Sequence, residues 1–435
     1  MILPTEDWLE MPDGSSYHGE ADEPDYCSLL KDGRYDEIVT MALESPCQMT
    51  EAASIFFLRV FYLRDNIFQL SNTSIEKVRL ASETGNQYAR FGYGRFHVVV
   101  KPEDDSVDIS IDCFKKAFDQ GLPDAIAALA EAWRYGDMGQ VDHEKADKML
   151  AEALEQGSEY AAVLQLRHLV YGTVIRTKNP KVALLKANEL IDSDVNQKYF
   201  SGLWLYFKAL ALDESGEADQ ACSFFDHAAR NGVLPAWVDL ARMIGKPDSD
   251  GNPTDPEAYF STLREGAGHN DIDSRTLLAW QSVLDFDNLE KDKQTEETAA
   301  KLIDELKECF NHGSRMAAEL IGDIHYNGWL LQAEDNEKAW LWYSKAAHWD
   351  SCSGYEKLYD MVYYHDKDVD LTFRDMLALK GTRLGSRHLL NQTVIAHTEG
   401  RLDDYATEIE RYYDPVFDDD GNDIPDDDGR FDAWA

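Results

Sequence analysis

The chain has 435 residues, of which 44% are hydrophobic and 11% aromatic, enough to bury a large core or to form a long repeat array. Its 82 acidic residues outnumber 42 basic ones and give a formal charge of −40. A surface of that sign repels phosphate, which argues against direct binding of nucleic acid. It attracts basic proteins, although acidity that serves only solubility explains the same charge.

The first 70 residues predict two different segments. Residues 1–25 are acidic, contain Pro and Gly, and show no helical period, whereas residues 26–70 predict N-terminal capping helices. The first residues lack a basic and then apolar leader, and no run of 18 apolar residues occurs anywhere. Six cysteines lie far apart, without a C-x-x-C pair, and indicate reduced thiols. We therefore predict a cytoplasmic chain that makes no membrane contact.

Residues 71–395 repeat one helical pattern. From Ala339, apolar residues recur at +3, +4, +7 and +8, and the same spacing starts at Ser110, Ala146 and Ala221. Those three helices stop at a glycine, the residue that takes positive φ at least cost, and an alanine four residues later opens a second helix. The pattern predicts about eight or nine helix pairs, with degenerate units at 181–194 and 257–269. Residues 95–110, with the β-branched run Val98–Val100, predict an extended loop between helices.

The segment AAELIGDIHYNGWLLQAEDNEKAWLWYSKAAHWD, residues 317–350, resembles a Sel1-like repeat. That family's pattern is an alanine, Leu-Gly, an aromatic residue, a glycine, a variable loop and Lys-Ala-x-x-Trp-Tyr-x-x-Ala-Ala. Residues 125–157 are similar with fewer matches, and the unit at 158–194 departs from it, with Gln165 and Leu166 where Leu-Gly is expected. The resemblance covers roughly residues 70 to 390.

The resemblance implies an all-α fold: an α/α superhelical solenoid of Sel1-like or tetratricopeptide-like helix pairs that binds other proteins and catalyses nothing. Residues 396–413 predict a C-terminal capping helix. Trp342 and Tyr343 lie on the core-facing stripe of their helix and are predicted to pack. Three tryptophans lie off the predicted apolar stripes and either fill the contact between repeats or form part of a binding surface: Trp329, Trp340 and Trp349.

Residues 414–435 form an acidic tail interleaved with aromatic residues. Nine acids and one base lie between Asp414 and Asp432. An EF-hand loop needs Asp at positions 1, 3 and 5 before its glycine, and the tail lacks that spacing, so we predict no metal site. The tail is either a solvated appendage or a segment that docks into a basic groove. The predicted partner-binding residues of the tail are Phe417, Asp418, Asp419, Asp420, Asp426, Asp427, Asp428, Phe431 and Trp434.

No P-loop, H-E-x-x-H or G-x-S-x-G motif occurs, so we predict no catalytic residue and no cofactor. The leading hypothesis is a non-catalytic solenoid of a bacterial cytosol that sequesters or neutralises a basic partner protein. A toxin-immunity inhibitor of a nuclease-like toxin fits this hypothesis, because nucleases carry basic surfaces that grip phosphate. The alternatives are a regulatory adaptor or scaffold of a signalling or secretion complex, and an unrecognised enzyme.

Overall fold

The computed structural model describes residues 25–44, 49–103, 105–173, 175–193, 201–246, 253–365 and 371–413. These residues form 23 α-helices and one 3₁₀ turn, Asp403–Tyr405, and no β-strand among them. The helices are α1 Tyr26–Lys31, α2 Tyr35–Glu44, α3 Glu51–Val60, α4 Arg64–Phe68, α5 Asn72–Glu83, α6 Gln87–Val100, α7 Ser106–Asp119, α8 Pro123–Tyr135, α9 His143–Glu155, α10 Glu159–Tyr171, α11 Pro180–Asp192, α12 Gly202–Glu214, α13 Ala218–Arg230, α14 Ala236–Gly245, α15 Pro256–Gly268, α16 Ile272–Asp287, α17 Glu296–Asn311, α18 Arg315–Asn327, α19 Asn336–His348, α20 Cys352–His365, α21 Leu371–Arg383, α22 Arg387–Thr398 and α23 Ala406–Tyr413.

Helices α6 to α21 pack as eight successive pairs, each with a first helix and a second helix that follows it. Each second helix also contacts the first helix of the next pair, so the core runs from one pair to the next. The predicted all-α solenoid is confirmed. The two degenerate units predicted at 181–194 and 257–269 correspond to α11 and α15.

The turns between pairs explain why the helices stop and restart where they do. Gly85, Gly157 and Gly313 have φ of 101°, 81° and 102°, the left-handed region that only glycine adopts without strain. The next residue in each case caps the following helix, because its side chain accepts a hydrogen bond from a backbone N–H in the first turn. A glycine followed by Asn or Ser thus both ends one helix and starts the next.

The prediction of an extended loop at residues 95–110 is wrong at both ends, because α6 runs through Val100 and α7 already begins at Ser106. Helix α6 continues through Val98–Val100, and Lys101 ends it with φ of 49°. Val99 is buried, so packing outweighs the weak preference of β-branched residues for strands. Pro102 follows the helix end, where proline is commonly found.

Helices α1 to α4 lie against the turns that join one pair to the next. Tyr62 donates to Asp124 at the start of α8 over 2.9 Å, and the Arg59 guanidinium pairs with Glu159 at the start of α10 over 2.6 Å. Gln69 donates to the carbonyl of Asn270 over 3.2 Å. The backbone of residues 30–31 packs against Gly232, and the ring of Phe68 against Gly313. Residues 25–70 therefore contact turns along much of the array; the capping role and the domain boundaries predicted from the sequence stay predictions.

Candidate protein-binding surfaces

Four distant parts of the chain meet at Trp349. Its indole nitrogen donates to the carbonyl of Val100 over 3.1 Å, and the next residue, Asp350, pairs with Lys101 over 2.6 Å. The Trp349 ring stacks on Phe310 of α17, with centroids 4.5 Å apart, and contacts Phe68 of α4 edge-on at 4.9 Å. These contacts join the C-terminal end of α6 to the turn between α19 and α20, and we call them the Trp349 junction.

The aromatic contacts continue from this junction to the surface. Phe310 meets Trp342 edge-on at 5.4 Å, and the ammonium of Lys345 lies 3.8 Å from the centre of the Trp342 ring, a cation–π contact. At the inner end, the Arg64 guanidinium lies over the rings of Phe68 and Trp349, at 4.6 and 5.3 Å. Burial and the nearby charge of Arg315 lower the pKa of Arg64 to about 9.

An open groove of about 360 Å³ lies at the outer end of these contacts, between α17 and α19. This volume is at the lower end of the range for ligand pockets, about 300 to 1,000 Å³. Burial, with the charge of Lys307 nearby, lowers the pKa of Lys345. No acidic side chain pairs with Lys345 in the described part of the chain. The groove is lined by Phe310, Leu341, Ser344, Lys345, His348 and Trp349.

The structure does not gather the three predicted tryptophans into one site. Trp329 packs against Trp280 at 5.5 Å, Trp340 against Phe373 at 6.1 Å, and Trp349 forms the junction. All three are half-buried, so each serves packing and still presents some surface. Trp342, predicted to pack, is also half-buried, whereas Tyr343 is 2% exposed. The predicted tail residues, from Phe417 to Trp434, lie outside the described residues.

One edge of the solenoid is strongly acidic, a feature that the sequence analysis did not locate. At this edge the first helix of a pair connects to the second, and four of these connections, together with the one between α22 and α23, carry 19 acidic and four basic residues. We call them the acidic edge: residues 136–144, 213–219, 285–297, 334–338 and 399–404. The connection at 172–181 is the exception, with three basic residues and no acid.

Contacts between neighbouring connections show that they lie side by side. Lys178 pairs with Glu214 over 2.6 Å, and the carboxylate of Asp287 accepts from the backbone N–H of Leu330 at 3.4 Å. The opposite edge, where pairs are joined to each other, carries three acids and two bases in the eight turns 85–86, 120–123, 156–159, 231–235, 269–272, 312–315, 349–352 and 384–387. Acidic residues are therefore concentrated at the edge away from α1 to α4. The first connection of the acidic edge packs, at Gly136, against a distant part of the array, Arg383 at the end of α21.

Within the described ranges, no group of three or more His, Cys, Asp or Glu side chains could hold a metal ion. The same part of the chain contains no helix that is both long and apolar enough to cross a membrane.

No protein-family model matches the chain. An uncharacterised protein of Neisseria meningitidis serogroup B, NMB1327, is 24% identical over 334 residues, which cover 76% of this chain and 65% of that protein. The match thus spans less than two thirds of that relative's length.

Two solved structures to which the chain is similar are Sel1 repeat proteins. One is a Sel1 repeat protein from Oxalobacter formigenes, with a TM-score of 0.34, 19% identity, and coverage of 78% of this chain and 93% of that one. The other is c5321, a protective antigen of uropathogenic Escherichia coli with an SLR fold, with a TM-score of 0.31, 15% identity, and coverage of 87% and 93%. These scores are low, and the fold stands on the helix pairs described above.

Proposed function

We propose that the chain is a non-catalytic protein-binding solenoid that sequesters or neutralises a basic partner protein. The acidic edge is the observation that carries this proposal. Its exposed carboxylates Asp219, Asp292 and Glu296 form no ion pair within the described residues, so they are available to Lys and Arg of a partner. A potential of one sign along an edge raises the rate at which an oppositely charged protein associates.

The partner that fits this edge is a protein with a basic surface of its own. Nucleases and other nucleic-acid-binding proteins carry such surfaces, because Lys and Arg neutralise phosphates. Covering that surface blocks access of nucleic acid, which is how an immunity protein would neutralise a toxic nuclease. The tail supplies further contacts in this proposal, with Phe417, Phe431 and Trp434 as aromatic anchors and the triplets 418–420 and 426–428 as carboxylates.

The test is a comparison of two charge-reversal variants as bait in a native lysate, with bound proteins identified by mass spectrometry. The edge variant carries Asp219→Lys and Asp292→Lys. The matched control carries Asp119→Lys and Glu155→Lys, which make the same charge change at exposed positions near the opposite edge. Each capture is made at low and at moderate salt, because salt screens exposed charges beyond about 10 Å.

The proposal expects one stoichiometric basic protein that the control retains at moderate salt and that the edge variant loses. For that purified partner, the association rate constant should fall on the order of ten-fold in the edge variant. Deleting residues 415–435 should leave helicity intact and weaken the same complex. Several weak partners, bound equally by both variants, would contradict the proposal and favour a regulatory adaptor.

A further inference from the structure

The second helices of the last two complete pairs differ in charge from the earlier second helices. Among the second helices of pairs, together with α5, those from α5 to α17 carry 20 acidic and 12 basic residues. The two that follow, α19 and α21, carry two acidic and five basic residues. Three of these five bases pair with Asp335, Asp375 and Glu408, which leaves Lys345 and Lys380 without an acidic partner in the described part of the chain.

Exposed apolar side chains are also concentrated in this stretch of the chain. Thirteen large hydrophobic side chains are exposed, and five of them fall between residues 341 and 373: Leu341, Tyr363, Tyr364, Leu371 and Phe373. The groove between α17 and α19 adjoins Leu341, and Phe373 of α21 reaches Trp340 of α19. We call Leu341, Lys345, Leu371, Phe373 and Lys380, with the groove, the α19–α21 surface. Exposed apolar side chains beside a groove are typical of a binding site.

We propose that residues 414–435 of the same chain dock on the α19–α21 surface. The tail has the complementary chemistry: two triplets of aspartate for Lys345 and Lys380, and the rings of Phe417, Phe431 and Trp434 for the groove and for the apolar side chains beside it. Lys345 suits this role because it has no acidic partner in the described part of the chain and already lies among aromatic rings. A carboxylate bound there would be partly shielded from water, which strengthens the pair.

The tail begins close to this surface. Helix α23, which precedes it, packs Ile409 near Leu379 of α21, and Glu408 pairs with Arg383 at the end of α21 over 2.8 Å. From Arg383 to Phe373 is ten helical residues, or about 15 Å, and a neighbouring helix lies about 8 to 10 Å away. Twenty-two residues span up to about 70 Å when extended, so the tail reaches the groove with length to spare.

The proposal goes beyond the proposed function, because it concerns the chain without any partner. Hydroxyl-radical footprinting of the full chain tests it, and the chain supplies its own reference side chains. Leu341 is 52% exposed and Leu80 of α5 is 49% exposed; Phe373 is 46% exposed and Phe118 of α7 is 44% exposed. If nothing covers the α19–α21 surface, the members of each pair should oxidise at similar rates.

We expect Leu341 and Phe373 to oxidise at least three-fold more slowly than their reference residues in the full chain. In the triple variant F417A/F431A/W434A, the oxidation rates of Leu341 and Phe373 should come within two-fold of those of Leu80 and Phe118. Its far-ultraviolet circular dichroism should be unchanged. Lys345→Glu should release the surface in the same way. Lys148→Glu, an equal charge reversal at an exposed position of α9, should not.

Three outcomes would overturn the docking. If Leu341 and Phe373 of the unmodified chain oxidise as fast as their reference residues, the surface is open. Protection that survives the triple substitution and grows with protein concentration would mean that a second copy covers it. Protection that survives at every concentration would assign the cover to another segment. Because no basic partner enters the experiment, its failure leaves the proposed function standing.

Discussion

Gly322 is the position where one added methyl group tests the packing of the repeat most directly. It lies inside α18, and a Cβ built there would lie 2.3 and 2.5 Å from two ring carbons of Tyr343 in α19. The ring cannot move away freely, because Tyr343 is 2% exposed and its hydroxyl donates to Asp323 over 2.7 Å. Gly322→Ala therefore forces the ring to shift by about 1 Å, the gap between these distances and a normal contact of about 3.5 Å.

The magnitude follows from two opposing effects. Overpacking of this kind costs about 1 to 3 kcal/mol, and weakening the hydrogen bond to Asp323 costs about 1 kcal/mol more. Alanine gains about 1 kcal/mol over glycine in a helix interior. The net expectation is a loss of about 1 to 3 kcal/mol in the free energy of unfolding, measured by urea denaturation followed by circular dichroism, with an unchanged m-value.

Two further variants make this reasoning refutable. Gly268→Ala in α15 is the control, because an added Cβ there meets nothing within 4 Å, so its effect should lie between zero and a gain of about 1 kcal/mol. In the double variant Gly322→Ala/Tyr343→Leu, the smaller side chain makes room for the methyl group. Its loss should be at least about 1 kcal/mol less than the sum of the single losses. A Gly322→Ala variant as stable as Gly268→Ala would refute the packing argument.

Two other predictions address charge burial and the junction. Burial raises the pKa of Asp124 to about 6, although Ser158, Tyr62 and the backbone N–H of Tyr160 donate to it, and the unfolded value is 3.8. The folded state thus binds this proton more tightly, so the wild-type chain should gain about 2 kcal/mol in unfolding free energy relative to Asp124→Asn as the pH falls from 7 to 4. Urea unfolding at both pH values measures this gain, and no change would contradict the raised pKa of Asp124. Trp349→Ala should lower the free energy of unfolding by about 2 to 3 kcal/mol and speed amide exchange in α4. The control Trp340→Ala should leave exchange in α4 unchanged. Equal exchange in both variants would mean that Trp349 does not hold α4 in place.

The helices and their turns could be predicted because their signals are local. Apolar residues at helical spacing mark the buried face, and glycine marks a turn that needs positive φ. The run Val98–Val100 misled for the same reason: local preference favours a strand, and only tertiary packing of α6 decides otherwise.

Leu166 stands where the repeat pattern has glycine, and the facing side chain in the paired helix explains why a large residue fits there. Gly322 faces Tyr343, and at the equivalent positions of α6 and α7 Gly94 faces Phe114, where an added Cβ would lie 2.6 Å from the ring. The corresponding positions in α10 and α11 hold Leu166 and Ala187, both fully buried. A large residue in the first helix is therefore matched by a small one in the second. The Leu-Gly pattern describes one of several ways to fill that space.

The junction at Trp349 and the acidic edge could not be predicted from local patterns. Trp349 meets Val100 across 249 residues of sequence, and nothing in either segment identifies the other. The acidic edge is formed by five connections that are ordinary one at a time and become a surface only when the pairs stack. The same holds for the α19–α21 surface, since its charge is unusual only in comparison with the earlier second helices.

If both proposals hold, the two surfaces compete for the tail. A tail held on the α19–α21 surface is available to a basic partner for only a fraction of the time, and the apparent affinity falls by that fraction. Lys345→Glu should then tighten binding of the partner, because it frees the tail. The added negative charge contributes little by itself, since salt screens a single charge at moderate ionic strength. Deleting residues 415–435 should weaken binding in both backgrounds to the same final affinity, measured by titration calorimetry at moderate salt. A Lys345→Glu chain that binds as the wild type does, while footprinting shows its tail released, would mean that the tail makes no contact with the partner and that the acidic edge binds alone.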